Sequence, residues 1–204
     1  MWLEEAAVPY YLFREKKFQV VLASIKGGEI PIDQSSLSGD FYVAAAKKFI
    51  EDEEAQKKIN NSIALSDIDF TTVDAIYLSG GHGVCADYVG NETLKNAVET
   101  VYKAGKIVAA DCHGPIGLAQ CVKPDGTPLV AGKKVTGFTN SEEAAVGMTD
   151  KVPFLIETKF KEQGAEFTAG PDWNPNICVD GNLYTGQNPQ SSDELSLAVA
   201  KALA

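Results

Sequence analysis

The chain has 204 residues, 45% hydrophobic and 23% charged, which fits one ordinary globular domain over residues 1–204 and excludes low-complexity disorder. Its formal net charge of -10, with no basic run, excludes a nucleic-acid partner, because affinity for a phosphate backbone comes largely from Lys and Arg releasing counterions. The longest apolar runs, such as Val20–Ala23 and Ile107–Ala110, fall far short of the roughly 20 residues needed to cross a bilayer, and the opening Met1-Trp2-Leu3-Glu4-Glu5 lacks the features of a secretory leader, so a cytoplasmic address without membrane contact is expected.

Residues 2–16 read as a helix, and 18–24 as a strand that turns at Gly27-Gly28. The Pro- and Ser-containing stretch 30–38 is a loop. Residues 39–61 then regain a helical pattern, with Phe41, Ala45 and Phe49 apolar and Lys47 to Lys58 forming a solvated face. Residues 75–79 read as a buried strand that empties into Gly80-Gly81-His82-Gly83. A helix over 92–104 ends at Gly105, and 107–110 is the next strand. After Cys112-His113-Gly114-Pro115, residues 116–121 read as a helix with Pro115 near its first turn. A hairpin-like turn at 124–128 leads to short strands up to Thr136, and 153–163 is helical. Residues 177–179 and 183–185 flank Asp180-Gly181 as a hairpin, and a helix over 192–203 closes the chain. Such alternation predicts an α/β fold around a mostly parallel sheet.

The chemistry concentrates at Ala110-Asp111-Cys112-His113-Gly114, which has the small-x-nucleophile-x-Gly form of a nucleophile elbow between a strand and a helix. A helix N-terminus would favour the Cys112 thiolate. The glycine-rich loop at Gly81 and His82 leaves the carboxyl end of a parallel strand, where ligands collect, and can donate a backbone amide to an oxyanion. His113 either moves protons or shapes the pocket. If it is a base, a carboxylate should orient it, and spacing selects none. Cys85 and Cys121 read as small buried hydrophobes, and Trp173 either lines the pocket or packs the core. No CxxC pair accompanies the four cysteines, and two histidines are too few for a typical zinc set, so free thiols, no metal and no cofactor are expected.

Several stretches together resemble the ThiJ/PfpI superfamily, the group containing the parkinsonism-associated deglycase. They are Glu4-Glu5-Ala6-Ala7-Val8-Pro9-Tyr10, Ala23-Ser24-Ile25-Lys26-Gly27-Gly28, Ser79-Gly80-Gly81-His82-Gly83, Ala110-Asp111-Cys112-His113-Gly114-Pro115, Gly137-Phe138-Thr139-Asn140-Ser141-Glu142-Glu143 and Thr185-Gly186-Gln187-Asn188-Pro189. The likeness covers nearly the whole chain and is strongest to the heat-shock-chaperone branch, described as glutathione-independent glyoxalases (glyoxalase III) and holdase chaperones. It implies a flavodoxin-like, class I glutamine amidotransferase-like sandwich, a homodimer, and a small aldehyde substrate. Carried over by motif, Cys112 is the nucleophile, His113 its neighbour, Glu143 the acidic triad member and Glu5 the glutamate at the thiol. Gly81, His82 and Gly114 fall on the oxyanion and substrate side. Holdase activity, protein deglycation, amide or peptide hydrolysis and oxidative sensing at Cys112 are the alternative functions.

Two departures from the family pattern stand out. Relatives open with a short central strand of which this sequence shows no counterpart, so the usual first strand is expected to be absent. Relatives also carry a small apolar residue where this chain has Asp111. Strand alternation predicts that Asp111 points away from the thiol, with a modest effect on it.

Overall fold

The computed structural model describes residues 1–204. In chain order the elements are α1 (Glu4–Glu15), β1 (Ala23–Ser24), α2 (Ala44–Glu51), α3 (Glu53–Asn60), β2 (Ile63–Ala64), β3 (Ala75–Leu78), α4 (Val84–Tyr88), α5 (Glu92–Lys103), β4 (Ile107–Asp111), β5 (Lys134–Val135), α6 (Asn140–Ala145), α7 (Ile156–Glu162), β6 (Glu166–Phe167), β7 (Ile177–Asp180), β8 (Leu183–Gly186) and α8 (Ser192–Leu203). The principal sheet runs β3-β4-β8-β7, with β3, β4 and β8 parallel and β7 antiparallel to β8.

Every residue of β4 is buried, as a central strand covered on both faces must be. Its side chains alternate: Val108 and Ala110 join the core against α5, while Ile107 and Ala109 join a second core against α8. Asp111 continues the second series and meets Ser192 at the start of α8, so it points away from the α5 side, as alternation predicts. A third apolar cluster packs α1 against α2 and α3 through Leu3, Tyr10, Phe49 and Ile59. This helix–sheet–helix layering is the α/β sandwich expected, and it brings the carboxyl ends of β3, β4 and β8 together at one edge.

The anticipated strand over 18–24 shrinks to Ala23–Ser24. It pairs only with β2, in a separate two-stranded sheet, and β3 pairs only with β4, so no strand bridges the two. A ladder on one side alone leaves residues 18–22 irregular. The helical stretch 39–61 breaks at Asp52, whose extended backbone lets its carboxylate accept from the amides of Glu54 and Ala55 and so cap α3. The helix expected over 116–121 is a 3-10 segment over Gly114–Gln120, entered through Pro115.

Candidate active site

Cys112 follows β4 with φ +57, a left-handed conformation that costs energy for a residue with a Cβ. Its surroundings hold it there. The Cys112 amide donates to the Gly186 carbonyl at 3.0 Å, and the Cys112 carbonyl accepts from the Phe138 amide at 2.9 Å. Two neighbours must be glycine for the bend to close. A Cβ on Gly114 would strike the Leu78 carbonyl, and one on Gly80 would lie 2.6 Å from the His113 nitrogen and 2.7 Å from Glu5 Oε2. Gly114 is thus a close-packing residue of the elbow. It does not line the pocket, which corrects its expected place on the substrate side.

Beside the sulfur, His113 Nδ1 lies 3.4 Å from Cys112 Sγ, and His113 Nε2 lies 2.9 Å from Glu143 Oε2. The other Glu143 oxygen is 2.6 Å from His82 Nε2. Burial pushes the Glu143 carboxyl upward, but hydrogen bonds from His113 and His82 outweigh it and bring the group down to about 2. Burial lowers the His113 pKa against the opposing pull of Glu143, which leaves the imidazole neutral at pH 7. With Glu143 ionised, His113 carries its proton on Nε2, and the Nδ1 lone pair faces the thiol. The carboxylate that spacing could not select is Glu143, held in the first turn of α6 by the cap at Thr139.

On the other side of the sulfur stands Glu5, fully buried in the first turn of α1. Glu5 Oε2 accepts from the Gly80 amide at 2.7 Å, Oε1 has no partner within ordinary hydrogen-bond geometry, and the carboxyl neighbours the Cys112 thiol. Burial and the Asp111 charge push the Glu5 carboxyl well above the usual carboxylate range, which favours its protonated form. The Cys112 thiol is also raised, by burial first and then by Glu5 and Asp111. This corrects the expectation of a thiolate favoured by a helix N-terminus: no α-helix begins there, and burial among carboxyls dominates. Asp111, pushed up to about 7 by burial, accepts from Ser192 Oγ at 2.6 Å.

A pocket of about 110 Å³ opens onto Cys112, with Glu5, Gly81, His82 and His113 in its lining and Trp2, Phe41, Phe138 and Trp173 as aromatic walls. Trp173 therefore lines the pocket. Its backbone is left-handed at φ +61, and its amide donates to Glu142 Oε1 at 2.9 Å. That buried oxygen also accepts from Asn188 Nδ2 at 2.7 Å and Gln187 Nε2 at 3.2 Å, while Oε2 accepts from the Thr139 amide and hydroxyl. Sequence reasoning missed Glu142. The only available signal was the capping-box spacing Thr139-x-x-Glu142. A larger surface cleft of about 360 Å³ between Leu65–Thr71 and α5 contains no cysteine or histidine and lies apart from this chemistry.

His82, His113 and Glu143 are also a possible ligand set, since one donor atom from each lies within 4.8 Å of the others. No helix is long and apolar enough to cross a membrane.

The chain is similar along its length to known proteins. It is 33% identical to Glyoxalase 3 of Candida albicans, over 94% of this chain and 84% of that protein. It is 30% identical to the glutathione-independent glyoxalase HSP31 of Saccharomyces cerevisiae, over 100% and 89% of the two. Among solved structures, the 24 kDa Rapid Encystment Protein of Francisella tularensis superposes with a TM-score of 0.94 at 34% identity, covering 100% of this chain and 90% of that one. Glyoxalase III of Candida albicans superposes with a TM-score of 0.90 at 32% identity, covering 98% and 87%. The sequence model of the DJ-1/PfpI family matches residues 2–202, and the chain belongs to that family.

Proposed function

We propose that the chain is a glutathione-independent glyoxalase that converts methylglyoxal and similar 2-oxoaldehydes to 2-hydroxy acids through a hemithioacetal on Cys112. The observation that carries this reading is one buried sulfur in contact with two proton carriers, the Glu5 carboxyl and the His113 imidazole, in a pocket sized for a small molecule. The names of the relatives support the same reading.

The proton inventory closes. The Cys112 sulfur bonds to the aldehyde carbon as His113 Nδ1 takes the thiol proton and Glu5 protonates the aldehyde oxygen. Glu5, now ionised, removes the proton from that carbon, and protonated His113 gives its proton to the neighbouring ketone oxygen, forming an enediol. Glu5 then returns its proton to the second carbon, and His113 takes the one on the first hydroxyl, which leaves a thioester. Water attacks this thioester as Glu5 accepts a proton, and the sulfur leaves with the proton held by His113. Cys112, Glu5 and His113 end as they began. One carbon is oxidised and its neighbour reduced, so no external electron acceptor enters, and the sulfur takes the place of glutathione. The Gly81 amide, which bears on the Cys112 sulfur, is a donor placed to meet developing negative charge.

The test is lactate formation from methylglyoxal, with and without glutathione, by wild type and Cys112→Ser. Turnover that ignores glutathione and vanishes in the variant supports the reading, and unchanged turnover in Cys112→Ser removes it. Homodimerisation is inferred from the family resemblance, and sedimentation of the purified protein decides it.

A further inference from the structure

We propose that His82, His113 and Glu143 form a Zn²⁺ site whose occupation switches the enzyme off. The three donor atoms converge already. Glu143 Oε1 and Oε2 lie 2.6 and 2.9 Å from His82 Nε2 and His113 Nε2, and one ligand atom from each of the three residues lies within 4.8 Å of the other two. A tetrahedral Zn²⁺ with bonds of about 2.0–2.2 Å holds its ligands about 3.3–3.6 Å apart. Opening these two contacts by up to about one ångström, and drawing together any donor pair as far apart as 4.8 Å by little more than that, makes room for the ion. Two imidazoles and one carboxylate match the preferences of zinc and leave a fourth position for water or hydroxide. Chain count missed the site because two histidines suffice when a carboxylate is the third ligand.

Access and rigidity both fit. His113 and Glu143 are 1% and 3% exposed in their side chains, whereas His82 is 26% exposed and lines the pocket that opens to solvent. The rings of His82 and His113 lie 4.0 Å apart, and Phe138 packs against both. The buried pair is thus preset and His82 offers the entrance.

Occupation acts on the sulfur through a tautomer. Zn²⁺ on His113 Nε2 needs the lone pair that the Nε2 proton occupies. That proton moves to Nδ1, so no net proton is released from the neutral ring. Nδ1, 3.4 Å from Cys112 Sγ, then donates and can no longer accept the thiol proton. The inhibitory part rests on the proposed role of His113. The binding part does not.

Binding and turnover are therefore measured separately on the full chain. Competition with a chromogenic chelator should show one Zn²⁺ per chain, with affinity unchanged in Cys112→Ser and weakened about 10-fold or more in His82→Gln and Glu143→Gln. Because His82 is partly exposed, His82→Gln tests the site even where Glu143→Gln fails to fold. Co²⁺ in place of zinc should give the visible bands of a four-coordinate ion without a thiolate charge-transfer band. Methylglyoxal turnover should fall in step with zinc occupancy and return with EDTA. Equal affinity in His82→Gln and wild type, or loss of binding in Cys112→Ser, overturns the site. Zinc bound as described to a protein without glyoxalase turnover sinks the functional reading and leaves the site standing.

Discussion

Ser79 Oγ donates to the Glu5 carbonyl at 3.0 Å, joining the end of β3 to the first turn of α1 across 74 residues of sequence. That carbonyl is free because Pro9, four residues on within α1, has no N–H to offer it. The proline that weakens the helix is thus what lets β3 grip the residue carrying the Glu5 carboxyl. Ser79→Ala should cost about 1–2 kcal/mol by leaving the carbonyl unpaired. In a Pro9→Ala background the restored N–H can take the carbonyl, so the same substitution should cost less. Urea unfolding of the four proteins measures the coupling, and strictly additive costs would show that Pro9 and Ser79 act independently.

The Asp111 carboxyl titrates at about 7, above the ordinary 3.8, because it is buried; Glu4 adds to the rise, while Ser192 and Tyr77 hydrogen bonds oppose it. The folded state therefore holds this proton more tightly than the unfolded one. The resulting stability is fully present below about pH 4 and is lost as pH rises through about 7. Asp111→Asn should flatten that part of the stability curve. It should also speed alkylation of Cys112 most above pH 7, where the charge raising the thiol exists in wild type. Unfolding curves across neutral pH check the first outcome and iodoacetamide kinetics the second. A slope identical to wild type would place the ionisation elsewhere, with Glu5 the next candidate.

Local patterns carried much of this architecture. α8 spans the residues that periodicity selects, and the β7–β8 hairpin turns at Asp180-Gly181 because that dipeptide permits it. The elbow was legible because a bend with φ +57 demands small neighbours, which appear in the sequence as Ala110 and Gly114. What was illegible depends on contacts distant in sequence. The strand over 18–24 carries strand-forming residues but lacks a ladder on its second side, and a propensity cannot reveal a missing neighbour. The thiol's raised pKa comes from burial first and then from Glu5, brought by a helix more than a hundred residues earlier in the chain. Glu142 and Glu143 look alike as adjacent residues of α6, yet one organises loops and the other faces two histidines.

Glu142 is the node of the pocket wall. It accepts from Trp173, Gln187, Asn188 and Thr139, drawing separate loops to one carboxylate. Glu142→Gln replaces one acceptor oxygen with an amide that repels the donors it meets, at a cost of about 1–3 kcal/mol. Released from its anchor, Trp173 should leave its left-handed conformation and widen the pocket. KM for methylglyoxal should then rise more than kcat falls, with a change in Trp173 fluorescence judged against a Trp2→Phe background. A fall in kcat with KM unchanged would show that the wall does not position substrate.

Glu143 acts through His113, and its removal should read differently. In Glu143→Gln the amide presents one oxygen and one N–H to two histidine nitrogens that both donate to the carboxylate in wild type. Where the amide N–H faces His113 Nε2, the ring must accept there and carry its proton on Nδ1, toward the sulfur. The lone pair that receives the thiol proton is then lost, and kcat should fall by about 10²–10⁴-fold with KM nearly constant. Glu143→Asp keeps the charge but shortens the reach, and should recover part of the loss. Above about pH 4 the rate should show no limb from Glu143 itself, since its carboxyl titrates at about 2. Steady-state kinetics of lactate formation, alongside unfolding curves for each variant, separate the two roles open to this residue. A loss of stability that accounts for the whole loss of rate would make Glu143 a structural anchor for α6 and leave the thiol to Glu5 alone.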